Sequence, residues 1–449
     1  VAVNHVTRRY VEQSAGAGSA LRDAGRTAPF LPTFGNSFNL VLLPRPMFLA
    51  QSVVDTATAD LNLVHDAITG LPDRLFDGDL RRYYAGLNMD ARSAGILLRT
   101  ATGRAPRYAR ADMIYDGTGL RLVEYNVGSE LGGLQLGEMG RGLMQVPEFR
   151  DFAQAHQLSY QDSAAEVAAV LRRAGAPVTG GRDPVVAVVE WTGQIPAAPG
   201  LYVAFQEVMA AQGIEVLLAD VTEVRNRDGK LYLGDRAIDV ALRYFMLAHV
   251  LSRPDGAEVI EPILRAHEDG GTVLFADLET TAFAYKDNLV YLSDPRYRQV
   301  YSPAEAAAID RVLPWTRRVL DEVTEAEGTR VKLLDYCVAR QESLVLKPHD
   351  GYAAVGTFAG WETSAQQWRS ILDDHADGSY IVQHRVVPQV EPMLDPDTAE
   401  MLDCVPVYGV FLTERGYAGM FNRVQGPGRT AVISGLSGIG VTNTFTYPG

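Results

Sequence analysis

Residues 110–134, RADMIYDGTGLRLVEYNVGSELGGL, constrain this chain more than any other stretch. Two alternating apolar runs, ADMIY and LRLVEYN, flank an Asp116-Gly117-Thr118-Gly119 turn, which predicts an antiparallel hairpin. Glu124 and Asn126 lie two positions apart, so their side chains leave the same face of the second strand. A glycine-rich segment follows, where a ligand can approach the backbone closely. A carboxylate and an amide beside such a loop suit a hard cation carrying phosphate. The same residues also fit a half-buried strand with a polar edge and an ordinary turn, so the choice rests on the rest of the chain.

A chain of 449 residues exceeds one small core, and two or three lobes are expected. With Asp+Glu at 55 against Lys+Arg at 41, the net charge is -14. No basic face can dominate, which argues against nucleic acid as the main partner, and an anionic substrate would need a local cluster of arginines. There is no long apolar run and no charged-then-apolar leader, so neither a membrane span nor a secretory signal is expected. Cys337 and Cys404 make neither a disulfide framework nor a zinc site, and a reduced cytoplasmic setting is the default. Cys404, at a strand start, reads as a buried small hydrophobe. Lysine is confined to Lys230, Lys286, Lys332 and Lys347, so arginine is the background cation and a retained lysine gains weight as a functional candidate.

Residues 1–110 read as mainly helical and irregular, with helix spacing over 51–68. Arg81, Arg82, Tyr83 and Tyr84 fit a helix face with snorkelling arginines better than a pocket lining. Ser163 with Glu166 predicts a capping box, Gly175 a helix stop, and 177–184 a linker. Over 184–276 the buried run PVVAVVEW, a helix and the strand IEVLLAD give a β-α-β signature without GxGxxG, so no dinucleotide fold is expected. Ser302-Pro303 with Glu305 opens another helix, which Pro314 breaks or kinks. From 343 onward the pattern is mostly β: strands at 343–348, 379–387, 405–413, 417–424 and 430–434, with a helix at 364–374. A strand ending in Lys347-Pro348, an acidic residue, a glycine loop and an arginine-bearing hairpin follow in an order that could grip a nucleotide between two antiparallel layers.

These motifs resemble the ATP-grasp carboxylate–amine ligases of the eukaryotic-type glutathione synthetase and glutathionylspermidine synthetase group. That group runs Arg-Ser-Asp, a hairpin, Glu-x-Asn, then Ser and Gly-Gly-Leu. This chain has Arg110-Ala111-Asp112, Glu124-Tyr125-Asn126, Ser129 and Gly132-Gly133-Leu134, one residue shorter between Asn126 and the glycines. The resemblance implies an α/β (α+β) ATP-grasp fold whose antiparallel sheets grip the nucleotide, with three parts. Residues 1–183 would hold an N-terminal helical region and the early metal-binding hairpin. Residues 184–276 would form an inserted α/β unit on the substrate side, and 277–449 the nucleotide-binding region.

The resemblance also implies roles. Glu124, Asn126 and Asp350 would be magnesium ligands, although Asp350 stands for a family Glu in a loop one residue shorter. Lys286 and Lys347 would meet ATP, and Val382 and Gln383 lie in the strand expected to meet adenine through its backbone. Gln383 replaces a usual acidic residue. Arg110 would face the substrate carboxylate, helped by Ser129; Arg423 would sit near the reacting carboxylate, and Asn443 in a substrate-side loop. His349 and His384 lie near the site without an assigned role.

The implied activity is an ATP- and Mg2+-dependent, ADP-forming ligase. It would join a carboxylate, activated as an acyl phosphate, to an amine of the amino acid, peptide or polyamine class, and phosphoryl transfer of this kind needs positioning and charge neutralisation more than covalent help. An ATP-grasp small-molecule kinase and a catalytically degenerate nucleotide-binding partner protein remain open, as does homo-oligomerisation.

Overall fold

The computed structural model describes residues 3–16, 18–36, 41–351, 354–395, 397–426 and 440–449. The strand expected at 430–434 lies outside the described residues. Three principal sheets organise a mixed α/β fold.

The largest sheet joins the two ends of the chain. The hairpin strands Ala109–Tyr115 and Leu120–Val127 form its edge, and Ala109–Tyr115 pairs antiparallel with Met401–Thr413. That strand then pairs with Gly416–Gln425, followed by Gly440–Thr442 and Val41–Leu42. The hairpin turns because the Asp116 carboxylate accepts from the backbone of Thr118 at 2.8 Å and Gly119 at 2.9 Å, while Gly117 takes a positive φ of 89°.

The second sheet is parallel, in the order Val273–Phe275, Val240–Arg243, Val185–Glu190, Glu215–Asp220. The helix Pro199–Ala211 makes the crossover between its first two strands in sequence. The third sheet is small and antiparallel: Thr316–Leu320, Asp377–His384, Leu344–Pro348 and Phe358–Ala359. It has its own core, centred on Trp368, whose indole N–H donates to Cys337 O at 3.0 Å. Both cysteines are buried free thiols.

Local differences from the sequence reading have simple causes. The helix Ser163–Thr179 runs through Gly175 and Pro177, so no linker begins at 177; Gly180, at φ 62°, ends it. Its cap is Asp162, which accepts from Ala164 N at 3.0 Å. The Ser163 hydroxyl is engaged elsewhere, accepting from Gly137 N at 3.1 Å and donating to Leu134 O. The Ser302–Glu305 capping box does form, and that helix ends at Val312, so Pro314 lies beyond it. Tyr83 and Tyr84 are fully buried while Arg81 and Arg82 face solvent, as the helix-face reading expects. No helix among the described residues is long and apolar enough to cross a membrane.

Candidate functional site

The hairpin register places Arg110 opposite Asn126 and Asp112 opposite Glu124, so all four side chains share one face. That face lines a cavity of about 800 Å³ lying between the large and small sheets, a volume in the range of small-molecule sites. Asp112 is almost wholly buried and is held between two guanidiniums, Arg110 Nε at 3.0 Å and Arg423 Nη2 at 2.5 Å. Burial favours the neutral carboxyl, yet the two arginines outweigh it and hold Asp112 below the usual carboxylate range.

Arg423 belongs to a strand two positions away in the sheet, and Gly409 lies on the strand between, opposite Asp112. A Cβ on Gly409 would lie 2.7 Å from Phe421 O and 3.0 Å from Arg110 Cδ, so only glycine leaves Arg110 its path over the sheet. Arg110 also donates to Gly132 O at 3.1 Å, so the glycine segment fixes this arginine by its backbone.

Lys347 enters from the small sheet and reaches across to the large one. Its Nζ donates to Val123 O and to Gln383 Oε1, each at 2.8 Å. Gln383 in turn donates to Thr316 Oγ1 at 3.0 Å. The amide is thus oriented by its own neighbours and offers Lys347 a neutral acceptor. Desolvation pushes the Lys347 ammonium down to about 8, partly opposed by Glu124 and reinforced by Lys286. Lys286 is buried, with Nζ 3.1 Å from Glu124 Oε1 and donating to Gly351 O. One ammonium therefore ties the early hairpin to the loop that carries Asp350.

Asp350 lines the same cavity with its carboxylate half exposed, 3.9 Å from His349 Nε2. His349 anchors this loop. Its Nδ1 lies 2.8 Å from the fully buried Asp287 carboxylate, which also pairs with Arg318, and its carbonyl accepts from Lys286 N at 2.8 Å. Burial alone would lower the imidazole pKa, but the Asp287 contact raises it.

Among the described residues, no three His, Cys, Asp or Glu side chains gather as a preformed metal centre. Glu124 and Asn126 from the hairpin and Asp350 from the small-sheet loop all line the cavity and offer oxygen donors, the type a hard cation takes. Glu124 already holds a cation, the Lys286 ammonium. These oxygen donors would suit a hard cation such as magnesium.

No family model and no curated protein matches the chain. Solved structures do. A glutathione synthetase-like effector (GSS30) from Globodera pallida, in apo form, aligns over 100% of both chains at 14% identity, with a TM-score of 0.59. A Methylobacillus flagellatus KT protein named as a candidate gamma-glutamylcysteine synthetase covers 85% of this chain and 88% of its own, at 15% identity and a TM-score of 0.44. The first likeness gives the fold over the whole chain.

Three of the residues singled out from sequence do not line the cavity. Ser129 is wholly buried; its hydroxyl donates to Arg243 O at 2.6 Å and accepts from Ala276 N at 2.8 Å, which uses it to join the hairpin to the parallel sheet. Ser129→Ala would strand the Ala276 N–H, so an urea melt should show a loss of about 1–3 kcal/mol. Val382 packs in the core of the small sheet, on the opposite face to Gln383. Gln383 itself lies in the central strand with neighbours on both sides, so its backbone is not a free edge. Asn443 is buried, and its carbonyl accepts from Met47 N at 2.9 Å.

The sequence reading gave no role to Asp112, Gly409 or Asp287. Only Asp112 carried a signal, as the third member of the Arg-Ala-Asp run. Arg243 is also central: fully buried, it pairs with Glu130 at 2.8 Å and donates to the carbonyls of Ala276 and Phe245. It thereby braces the parallel sheet against the cavity wall.

Proposed function

We propose that this chain is an ATP-grasp ligase that joins a carboxylate to an amine with ATP and magnesium, releasing ADP and phosphate. The observation that supports this most is Lys347. An ammonium from one sheet is bonded to the backbone of the metal-type hairpin on another, inside one cavity that also holds Lys286, Glu124, Asn126 and Asp350. A magnesium ion on Glu124, Asn126 and Asp350 would neutralise phosphate charge. Lys347 and Lys286 supply fixed positive charge to the phosphates in a partly desolvated site, where it acts strongly. Arg110 and Arg423 share one anion, Asp112, between two cations, which leaves a net positive pair able to take a substrate carboxylate. Phosphorylation of that carboxylate makes an acyl phosphate, and attack by the amine expels phosphate and leaves the amide. No protein nucleophile is required.

An ADP-release screen over paired acids and amines, with mass spectrometry of the product, tests the reading. ADP formed only when both partners are present, with an amide product, is the expected result. A stable phosphorylated product formed without amine would make the chain a kinase, and binding without turnover across the panel would make it a degenerate member.

The neutral anchoring of Lys347 gives a pH dependence. Nucleotide phosphates favour the protonated lysine, so Mg-ATP affinity should fall as pH rises through about 8, where free Lys347 loses its proton. Calorimetry at pH 8 in buffers of different ionisation heat should show proton uptake on binding, and Lys347→Met should abolish it.

A further inference from the structure

We infer that Lys286 is a built-in placeholder for the metal: its ammonium occupies Glu124 in the free protein, keeps a divalent cation from binding alone, and yields the carboxylate when nucleotide phosphates enter. The inference rests on the nucleotide-binding reading above and adds how metal and nucleotide depend on each other.

Lys286 Nζ lies 3.1 Å from Glu124 Oε1, with the lysine side chain 6% exposed and that of Glu124 23%. Water screens surface ion pairs until they contribute little, but this pair is sheltered, so the ammonium competes strongly for the carboxylate. The same Nζ donates to Gly351 O, next to Asp350, so it also closes the Asp350 loop onto the hairpin. An ammonium has three donors, and among the described residues only these two acceptors meet it. The main chain here is pinned: Lys286 N donates to His349 O at 2.8 Å, and the neighbouring Asp287 carboxylate lies 2.8 Å from His349 Nδ1. The ammonium therefore changes partners by rotating its flexible four-carbon stem, and its charge stays inside the cavity.

The surrounding charge makes the exchange conditional. The register sets Asp112 opposite Glu124 and Arg110 opposite Asn126, Arg423 pairs with Asp112, and Lys347 is bonded to Val123 O beside Glu124. With Lys286, four cations stand against three anions in this part of the cavity: Glu124, Asp112 and Asp350. A divalent ion entering alone would add its charge to a corner that is already positive, and in a partly desolvated cavity like charges repel strongly. A nucleoside triphosphate reverses the balance. Its negative charge draws the ammonium off Glu124 and leaves a field that a metal ion can enter. Metal and nucleotide are then coupled through one side chain, and each raises the affinity for the other by the same factor.

The test uses Mn2+ alone as the probe, because it takes oxygen ligands and its free-ion paramagnetic resonance signal vanishes on binding. Wild-type protein should hold Mn2+ weakly. Lys286→Met removes the charge and keeps the stem, and should bind Mn2+ on the order of ten- to a hundredfold tighter. Adding Glu124→Gln to Lys286→Met should erase that gain, while Lys286→Arg keeps a cation on Glu124 and should stay near the wild type. A lysine that only braced the loop would give no gain in metal affinity when removed. The wild type carries an independent readout: Mn2+ alone should leave its melting temperature unchanged, and Mg-ATP should raise it. Lys286→Gln, neutral and polar, serves for the same comparison if Lys286→Met does not fold. Tight Mn2+ binding by the wild type, equal Mn2+ affinity with and without the Lys286 charge, or a gain that survives Glu124→Gln each overturn this inference and leave the nucleotide-binding reading standing. Wild-type protein that does not bind Mg-ATP overturns that reading, and the release of Lys286 with it.

Discussion

Lys347→Ala should lower Mg-ATP affinity roughly a hundredfold and remove turnover, while leaving the melting temperature unchanged or slightly raised. The two effects part because Lys347 is poorly solvated and poorly paired in the free protein. Its two acceptors at 2.8 Å, Val123 O and Gln383 Oε1, are both neutral, and Glu124 spends one oxygen on Lys286. Burying a cation against neutral acceptors costs stability, so deleting it relieves the fold while the nucleotide loses its phosphate contact. The depression of Lys347 to about 8 has the same sign in linkage terms. Between about 8 and the ordinary lysine value near 10.4, the unfolded chain binds the extra proton, so stability rises with pH through that window in the wild type. Lys347→Ala should flatten that rise. Calorimetric affinity with parallel thermal melts at two pH values reads both effects. Unchanged nucleotide affinity would remove the main support for the ligase reading.

The hairpin was legible because its information is local. Asp116 and Gly117 specify the turn, and period-2 alternation specifies the faces on which Glu124 and Asn126 emerge. The β-α-β unit was legible for the same reason: Val185–Glu190 and Glu215–Asp220 are continuous buried runs joined by one helix. What lay beyond reach was pairing at long range. Nothing near Ala109–Tyr115 says that its partner is Met401–Thr413, so the Asp112–Arg423 contact and the need for glycine at 409 could not be read. The register carries that information, and register depends on the whole sheet. Ser129 shows the converse. Its place in a motif suggested ligand contact, while a fully buried hydroxyl must first satisfy its own hydrogen bonds, here to the backbone of Arg243 and Ala276. Short motifs record which residues recur together; burial decides which of them are left free for a ligand.

The largest stability effect should come from Asp112. Asp112→Ala leaves Arg110 and Arg423 facing each other with no anion between them, both side chains mostly shielded from water. Breaking a buried ion pair from one side typically costs about 3–5 kcal/mol, a large part of the total stability of an ordinary domain. Removing Arg423 as well should recover much of the loss, because the double variant no longer buries two like charges together, and the coupling in a double-mutant cycle measures the interaction directly. The acid limb carries an independent signature. The folded Asp112 carboxyl lies below its ordinary value, so its contribution is complete above about pH 4 and is lost as pH falls through the lower folded value. Asp112→Asn should therefore be destabilised at neutral pH and lose less than the wild type on further acidification. If Asp112 only braced the sheet, nucleotide and acid binding per folded molecule would survive in Asp112→Asn. If it aims Arg110 and Arg423 at a substrate carboxylate, the KM for the acid should rise while Mg-ATP affinity stays near that of the wild type. On the proposed ligase reading, variants at Lys347 should therefore disturb the nucleotide and variants at Asp112 the acid.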